Sequence, residues 1–562
     1  MIFMGSSYNR NSSIKGLVPK SINWVLFILF SACMSFISLG LTYLTQLLSS
    51  IVIDGKYNLL KKAVIFLVCW TAFCLLIRFL YLYFKKKVIY EWNYNIKSTL
   101  MENILSRSPI DFKKKDRSYF ASIFNNDIKF LEQNLLLAIE DIINQLFLFI
   151  FALVYSFYIN HIMTLVILIS GILTIVITNK LSSYAAKNNK AYMDSLGLYN
   201  ETIDDGLRGY QVLYKSNALF GFMKLFRDKT ESTEQNYSKS VFTTGLMNSL
   251  INQVSLSIQT LLFFIATILI IKGHIDVVYF PVFMSLMNLI IYPMYTIMSQ
   301  YGQIRACKGI ANNLKEELNF PVEDISSMKD DIKNSDILIK DLDFLYDDKG
   351  IFKNLDLHIN SKEHILLRGN SGSGKSTFLK LLTRELTAGK GDIYIGDINI
   401  NEMSRLDLFN SISVISQNPM LFRDSILQNI VLFKDEKDID YEKLNKAIEN
   451  AGLNEFINSL EDGLYTVLLD SGDNLSGGEK QRIEVARAIY KDTSIVLIDE
   501  ATSGLDLSKA VDLESIFNKM DKTIISTSHR EDIDLSTLYD RIYYIEGHNI
   551  LEKTKKLLDG NL

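Results

Sequence analysis

At 562 residues the chain exceeds one ordinary domain, and its 48% apolar and 11% aromatic content is high for a soluble protein. The net charge of −4 argues neither for nor against nucleic acid, and no nucleic-acid partner is expected. The four cysteines, Cys33, Cys69, Cys74 and Cys307, have no C-x-x-C spacing, so they support neither a metal site nor a disulfide framework. They read as small buried hydrophobes.

Residues 1–20 are polar and mildly basic through Arg10, Lys15 and Lys20. The apolar run that follows, 22–52, is much longer than a signal-peptide core and lacks a small-residue cleavage pattern. It reads as a spanning helix. Further spans are expected at about 59–84, 135–158, 162–177, 243–271 and 277–301, each long enough for a hydrocarbon layer of about 30 Å. That makes six.

Lys85, Lys86, Lys87, Lys97, Lys113, Lys114, Lys115 and Arg117 flank the exit of the second span and place that side in the cytoplasm. The opposite links, 54–58, 160–161 and 272–276, are short, although Lys61 and Lys62 run against the rule. Both termini are then cytoplasmic. The two long inner loops, 86–134 and 181–242, are rich in helix formers and suit helices that continue past the membrane into water. Within them, 111–127 and 205–216 are expected to dock on a soluble domain.

Polar residues inside spans are costly and face a bundle interior or a wet cavity. On the fifth span Thr244, Asn248, Asn252, Ser255 and Gln259 fall on one helical face. On the sixth, Met284, Asn288, Tyr292, Tyr295 and Ser299 do the same near Pro293. These stripes suggest an amphiphilic lumen, and interhelical hydrogen bonding is the competing reading. Arg78 lies about two turns from Lys85, which leaves two readings open, snorkelling to the interface and a substrate role.

Residues 319–335 are acidic and polar and read as a linker. From Asp336 onward short β-like runs alternate with helical ones, an α/β layout. Here the apolar run 364–367 leads into Gly369, Asn370, Ser371, Gly372, Ser373, Gly374, Lys375, Ser376 and Thr377, which open a helix. Strand, glycine-rich loop and helix in that order form a phosphate cradle, because small residues let successive N–H groups turn inward beneath the anion. Lys375 reaches the β- and γ-phosphates, and the Ser376 hydroxyl ligates Mg²⁺. Downstream, the buried-strand run 494–498 ends in Asp499, suited to the Mg²⁺ shell, and Glu500, suited to polarising an attacking water. Leu475, Ser476, Gly477, Gly478 and Glu479 make a second glycine-rich helix start. Gln417 and His529 each follow a short strand, positions that are more often structural than catalytic when taken alone.

As a set, these elements resemble the ATP-binding cassette (ABC) transporter family, in the exporter-fold branch where six spans precede the cassette. The resemblance covers nearly the whole chain. It implies an α-helical transmembrane bundle of six spans (21–318), a linker, and an α/β P-loop ATPase domain (336–562). Residues 369–377 would be the Walker A loop, 494–500 would include Walker B, and 475–479 the signature. By the same match Gln417 is the Q-loop residue, 503–506 the D-loop, His529 the switch histidine and Tyr346 the aromatic that stacks on adenine. Catalytic roles are thus implied for Glu500, His529 and Lys375. Contacts to ATP are implied for Tyr346, for 369–377, and for Gln417, Ser476, Gly477 and Gly478. Mg²⁺ contacts fall to Ser376, Gln417 and Asp499. Three positions depart from the family pattern: Glu479 stands where Gln is usual, Asp470 where Glu is common, and Gly504 where Ala is frequent. Activity is expected to survive all three.

Family geometry further implies a homodimer in a bacterial plasma membrane, with ATP between Lys375 of one copy and Ser476 of the other. The expected activity is export of an amphiphile, such as a peptide, lipid or hydrophobic small molecule. No room precedes residue 22 for a leader-cleaving peptidase domain, so a peptide cargo would be processed elsewhere or remain whole. Two alternatives stay open: uptake of a metal chelate on the same fold, and an ATP-gated channel or sensor subunit. A soluble ABC-type translation factor is excluded by the spans.

Overall fold

The computed structural model describes residues 21–55, 57–321, 335–346, 349–370, 372–469, 472, 474–502, 507–529 and 538–552. The expected N-terminal segment, most of the linker, Ser371, Asp470 and the D-loop 503–506 with Gly504 lie outside the described residues. The chain divides into two compact units, residues 1–103 with 117–320 and residues 104–116 with 321–562.

The first unit is built from long helices. Helix α1 (Ile22–Ile53) starts where Ser21 Oγ accepts from Trp24 N, and α2 is Leu60–Leu105. A short α3 (Pro109–Lys113) belongs to the second unit. From Arg117 the chain is helical again, passes through two π segments, Ile123–Asp127 and Glu132–Leu136, and continues as α4 (Leu137–Ile159). Asn160 caps α5 (His161–Arg208), followed by α6 (Tyr210–Lys215), α7 (Leu219–Ile271), α8 (Phe280–Ala306) and α9 (Lys308–Leu318). Helix α8 runs through Pro293.

Among the described residues, five helical stretches are long and apolar enough to cross a membrane; the fourth expected span is the apolar stretch His161–Ile177 at the start of α5. The 53 residues of α7 extend about 80 Å at 1.5 Å each, far beyond the hydrocarbon. The stretches between spans are therefore largely helical continuations of them, interrupted at 106–116 and again at 209 and 216–218. Helices α5 and α7 pack along one another, and α4 packs against α1 and α8.

Close approach sets the α1–α2 contact. The indole of Trp70 lies on Gly40, where a Cβ would sit 1.9 Å from the ring. Glu140 is 2% exposed, and the Tyr81 hydroxyl and the Lys85 ammonium (3.3 Å) donate to it. A buried acid in such a helix needs that pairing. On the fifth-span stripe Thr244, Asn248 and Asn252 are exposed, as are Asn288, Tyr292, Tyr295 and Ser299 on the sixth. Gln259 Nε2 donates to Asn288 Oδ1 at 3.3 Å, so one interhelical bond joins two otherwise open faces. Arg78 is exposed. The cysteines form no disulfide, but only Cys307 is buried. Cys33 on α1 and Cys74 on α2 are half-buried and Cys69 on α2 is exposed, so these three differ from expectation because their helix faces are apolar without being fully covered.

The second unit holds two sheets. Strands β1 (Ile337–Tyr346), β2 (Lys349–Ile359), β4 (Lys390–Ile395) and β5 (Ile398–Asn399) form an antiparallel sheet in the order β2-β1-β4-β5. The larger sheet has the order β10-β9-β3-β8-β7-β6. In it β3 (His364–Arg368), β6 (Ile412–Ile415), β7 (Ile495–Asp499), β8 (Thr523–Thr527) and β9 (Arg541–Glu546) run parallel, and β10 (Asn549–Glu552) is antiparallel to β9. A parallel strand is covered on both faces, which is why Ile495, Val496, Leu497 and Ile498 read as an unbroken apolar run and are all buried.

The first docking segment is shorter and earlier than 111–127. It occupies 104–116, because Ser108 and Pro109 start α3 and the long helix resumes at Arg117. Arg405 Nη1 donates to Leu105 O at 2.9 Å, and Lys113 Nζ pairs with Glu385 Oε2 at 2.8 Å. The second, α6, carries exposed Tyr210, Val212 and Tyr214.

Candidate functional site

Strand β3 delivers the chain into the glycine-rich loop, and α10 (Lys375–Leu382) leaves it. Gly374 holds φ 112°, and a Cβ there would meet Ile351 Cγ2 at 2.7 Å. Only glycine fits that approach. Ser373 Oγ is buried without a hydrogen-bond partner. An orphaned hydroxyl inside a loop of inward-facing backbone suits an arriving anion oxygen.

Lys375 is 4% exposed, and its Nζ donates to Gly369 O at 2.9 Å and Asn370 O at 3.3 Å. Burial lowers its pKa from the ordinary lysine value, and the neighbouring Glu500 and Asp499 charges oppose that shift. A phosphate would replace two neutral carbonyls with an anion in direct contact with this ammonium. Ser376 Oγ donates to Asp499 Oδ1 at 3.1 Å. Two hard oxygen donors converging in this way fit Mg²⁺.

Glu500 follows β7 in a left-handed conformation, φ 49°. Its Oε2 accepts from Gln417 Nε2 at 3.1 Å, and its Oε1 lies 2.8 Å from His529 Nε2. That same Nε2 is 2.8 Å from Lys375 Nζ. One tautomer satisfies one contact: a protonated Nε2 donates to Glu500, and an unprotonated one accepts from Lys375. The loop, Asp499, Glu500, Gln417 and His529 are thus brought together at the C-terminal ends of parallel strands, where open α/β sheets place their ligands. Thr377 is half-buried in the first turn of α10, and Gly372 lies on the rim of a cavity of about 200 Å³. Tyr346 ends β1 with its ring 54% exposed, free to stack.

Ser476, Gly477 and Gly478 stand apart from this cluster, and the described hydrogen bonds of Ser476 stay within its own helix start. Ser476 caps α11 (Gly477–Lys491), and Glu479 completes a capping box: Ser476 N donates to Glu479 Oε2 at 2.7 Å, and Glu479 N to Ser476 Oγ at 3.4 Å. Glu479, standing where the family has Gln, thus keeps an acceptor that orders Ser476. Glu479→Ala is expected to destabilise the full chain by about 1 kcal/mol, while Glu479→Gln stays near wild type, read by thermal unfolding in detergent.

Two residues of α11 were not legible as functional. Glu484, 4% exposed, accepts from Ser416 N and Ser416 Oγ, both at 2.9 Å, and Gln481 Nε2 donates to Gln417 O at 3.0 Å. Together they tie the Gln417 loop to the signature helix. The spacing of Gln481, Glu484 and Arg487 at i, i+3 and i+6 places three polar residues on one helix face, which is the signal the sequence offers. Burial raises the Glu484 pKa, opposed by the Ser416 bonds and the Arg487 charge.

Two family profiles match the chain: "ABC transporter" at residues 352–503 and "ABC transporter transmembrane region" at 24–294. An ATP-dependent lipid A-core flippase of Haemophilus influenzae is 28% identical over 72% of this chain and 70% of its own length. The flippase of Pseudoalteromonas translucida is 28% identical over 82% and 79%. The lactococcin-G-processing and transport ATP-binding protein of Lactococcus lactis is 30% identical over 61% of this chain and 49% of its own. Among solved structures, a bacterial Atm1-family ABC exporter with ATP bound superposes with TM-score 0.76 over 95% of both chains, at 20% identity. A helical membrane unit, an ATP-hydrolysing cassette and these matches identify the chain as a multi-pass membrane protein of the ABC transporter family, with the exporter fold.

Proposed function

We propose that the chain exports an amphiphile, a lipid or an amphiphilic peptide, by alternating access, working as a homodimer with Mg²⁺ and ATP at each site. The observation that carries this reading is the complete hydrolytic set around Lys375, Asp499 and Glu500, joined in sequence to spans with two exposed polar stripes. The names of two relatives, an ATP-dependent lipid A-core flippase and a lactococcin-G-processing and transport protein, support a lipid or peptide cargo.

Lys375 holds the β- and γ-phosphates against the loop amides, and Tyr346 stacks on adenine. Ser376, Asp499 and Gln417 would hold Mg²⁺, which supplies charge neutralisation on the phosphate oxygens. Glu500 accepts a proton from the attacking water as the bond to the γ-phosphorus forms and the bond to the ADP oxygen breaks. His529, in contact with both Glu500 and Lys375, senses the γ-phosphate. Ser476 of a second copy closes the site, so binding pulls two cassettes together and hydrolysis releases them. The exposed apolar face of α6 suits docking on that second copy. Its cytoplasmic position follows the basic flank at Lys85, Lys86 and Lys87, with both termini inside a bacterial plasma membrane.

The purified chain in detergent is expected to weigh two copies by light scattering after correction for bound detergent. One copy with a distinct cassette-bearing partner would refute the homodimer. Turnover in lipid should rise with added lipid A or a cationic amphiphilic peptide, with Lys375→Ala as the blank.

A further inference from the structure

Thr527 lies on β8 opposite Asp499 of the parallel neighbour β7, and is 2% exposed. Its Oγ1 accepts from Glu500 N at 3.0 Å and lies 3.0 Å from Asp499 Oδ1 and 3.4 Å from Ile498 O. A hydroxyl carries one proton. The Glu500 amide can only donate, so Thr527 accepts there, and its single proton goes to the nearer acceptor, Asp499 Oδ1. Asp499 Oδ1 thus receives two hydroxyls, Ser376 from the loop and Thr527 from the sheet. The same oxygen of Thr527 anchors the backbone of a non-glycine residue at φ 49°, a conformation that persists only where its surroundings over-determine it.

We infer that Thr527 is a positioning residue for ATP hydrolysis: one buried hydroxyl orients the Asp499 carboxylate toward Mg²⁺ and sets the backbone from which Glu500 projects. This rests on the hydrolytic reading of the site. A threonine at the end of a buried strand is commonly no more than a packed side chain. Here its hydroxyl spans the two residues on which the chemistry depends, and β-branching fixes its rotamer.

The test uses the full chain in lipid nanodiscs. It compares wild type with Thr527→Val, which keeps the shape, and Thr527→Ser, which keeps the hydroxyl. Phosphate release gives kcat and KM, and trinitrophenyl-ATP titration with Mg²⁺ or with EDTA gives binding apart from turnover. Thr527→Val is expected to lower kcat about 10–100-fold and to shrink the Mg²⁺-dependent gain in affinity, leaving affinity in EDTA unchanged. Thr527→Ser should recover most of both. Should Thr527→Val not fold, the same contrast is expected between Thr527→Ser and Thr527→Ala.

Wild-type kcat and Mg²⁺ dependence in the hydroxyl-free variants would overturn the inference. So would equal losses in Thr527→Ser and the hydroxyl-free variants, which would assign packing alone. Wild type without ATP turnover would remove the hydrolytic reading together with this one. An active wild type beside an unaffected Thr527→Val would remove only the role of Thr527.

Discussion

Glu500→Gln is expected to stop ATP turnover while nucleotide still binds. The amide keeps the shape and an oxygen that accepts from Gln417 Nε2, now 3.1 Å from the carboxylate, but it cannot take a proton from water. Loss of a general base typically costs about 10²–10⁴-fold. The loss should fall on kcat, because the group acts on the attacking water and the adenine and phosphate contacts are untouched. Phosphate release measured beside trinitrophenyl-ATP binding separates the two. A variant that bound nucleotide and turned over at the wild-type rate would place the base elsewhere.

Lys375→Ala is expected to act earlier, on binding. The ammonium is buried and contacts two backbone carbonyls and His529. Its removal leaves the phosphates with loop amides and a helix start but no cation. Truncating one member of a buried charge pair costs about 2–5 kcal/mol, or roughly 30- to 5,000-fold in affinity. ATP affinity with Mg²⁺ should fall by that factor, and turnover at sub-saturating ATP with it. Unchanged affinity would mean that the lysine is structural.

The nucleotide site was largely legible because its parts are local. A loop that must turn nine residues around a phosphate declares itself in the run from Gly369 to Thr377, and a strand covered on both faces declares itself as apolar residues ending in Asp499 and Glu500. What joins those parts was not legible. Thr527 acts across a β7–β8 pairing, and the register of two strands separated in sequence is set by the folded sheet. Glu484 and Gln481 act under a loop more than sixty residues upstream for the same reason.

The capping box at Ser476 was readable in principle, since Ser-x-x-Glu is its signature. Taken against the family pattern, Glu479 shows only as a departure from the usual glutamine. In the membrane unit, apolar length revealed the spans, yet it could not show that α7 extends unbroken or that the helix before α4 passes through two π segments. Neither hydropathy nor propensity distinguishes a helix with one extra residue in a turn. The docking segment was misplaced because its start depends on Ser108 Oγ accepting from Asp111 N, a cap that competes with a longer helical reading of the same residues.

Reconstituting wild type and Glu500→Gln in liposomes bearing a fluorescent head-group-labelled lipid tests the link between hydrolysis and transport most directly. Dithionite quenching reports the label's sidedness. ATP with Mg²⁺ should shift the label toward the leaflet opposite the cassettes for wild type and leave it unmoved for Glu500→Gln. Equal ATP-dependent movement in both would contradict transport driven by hydrolysis at Glu500.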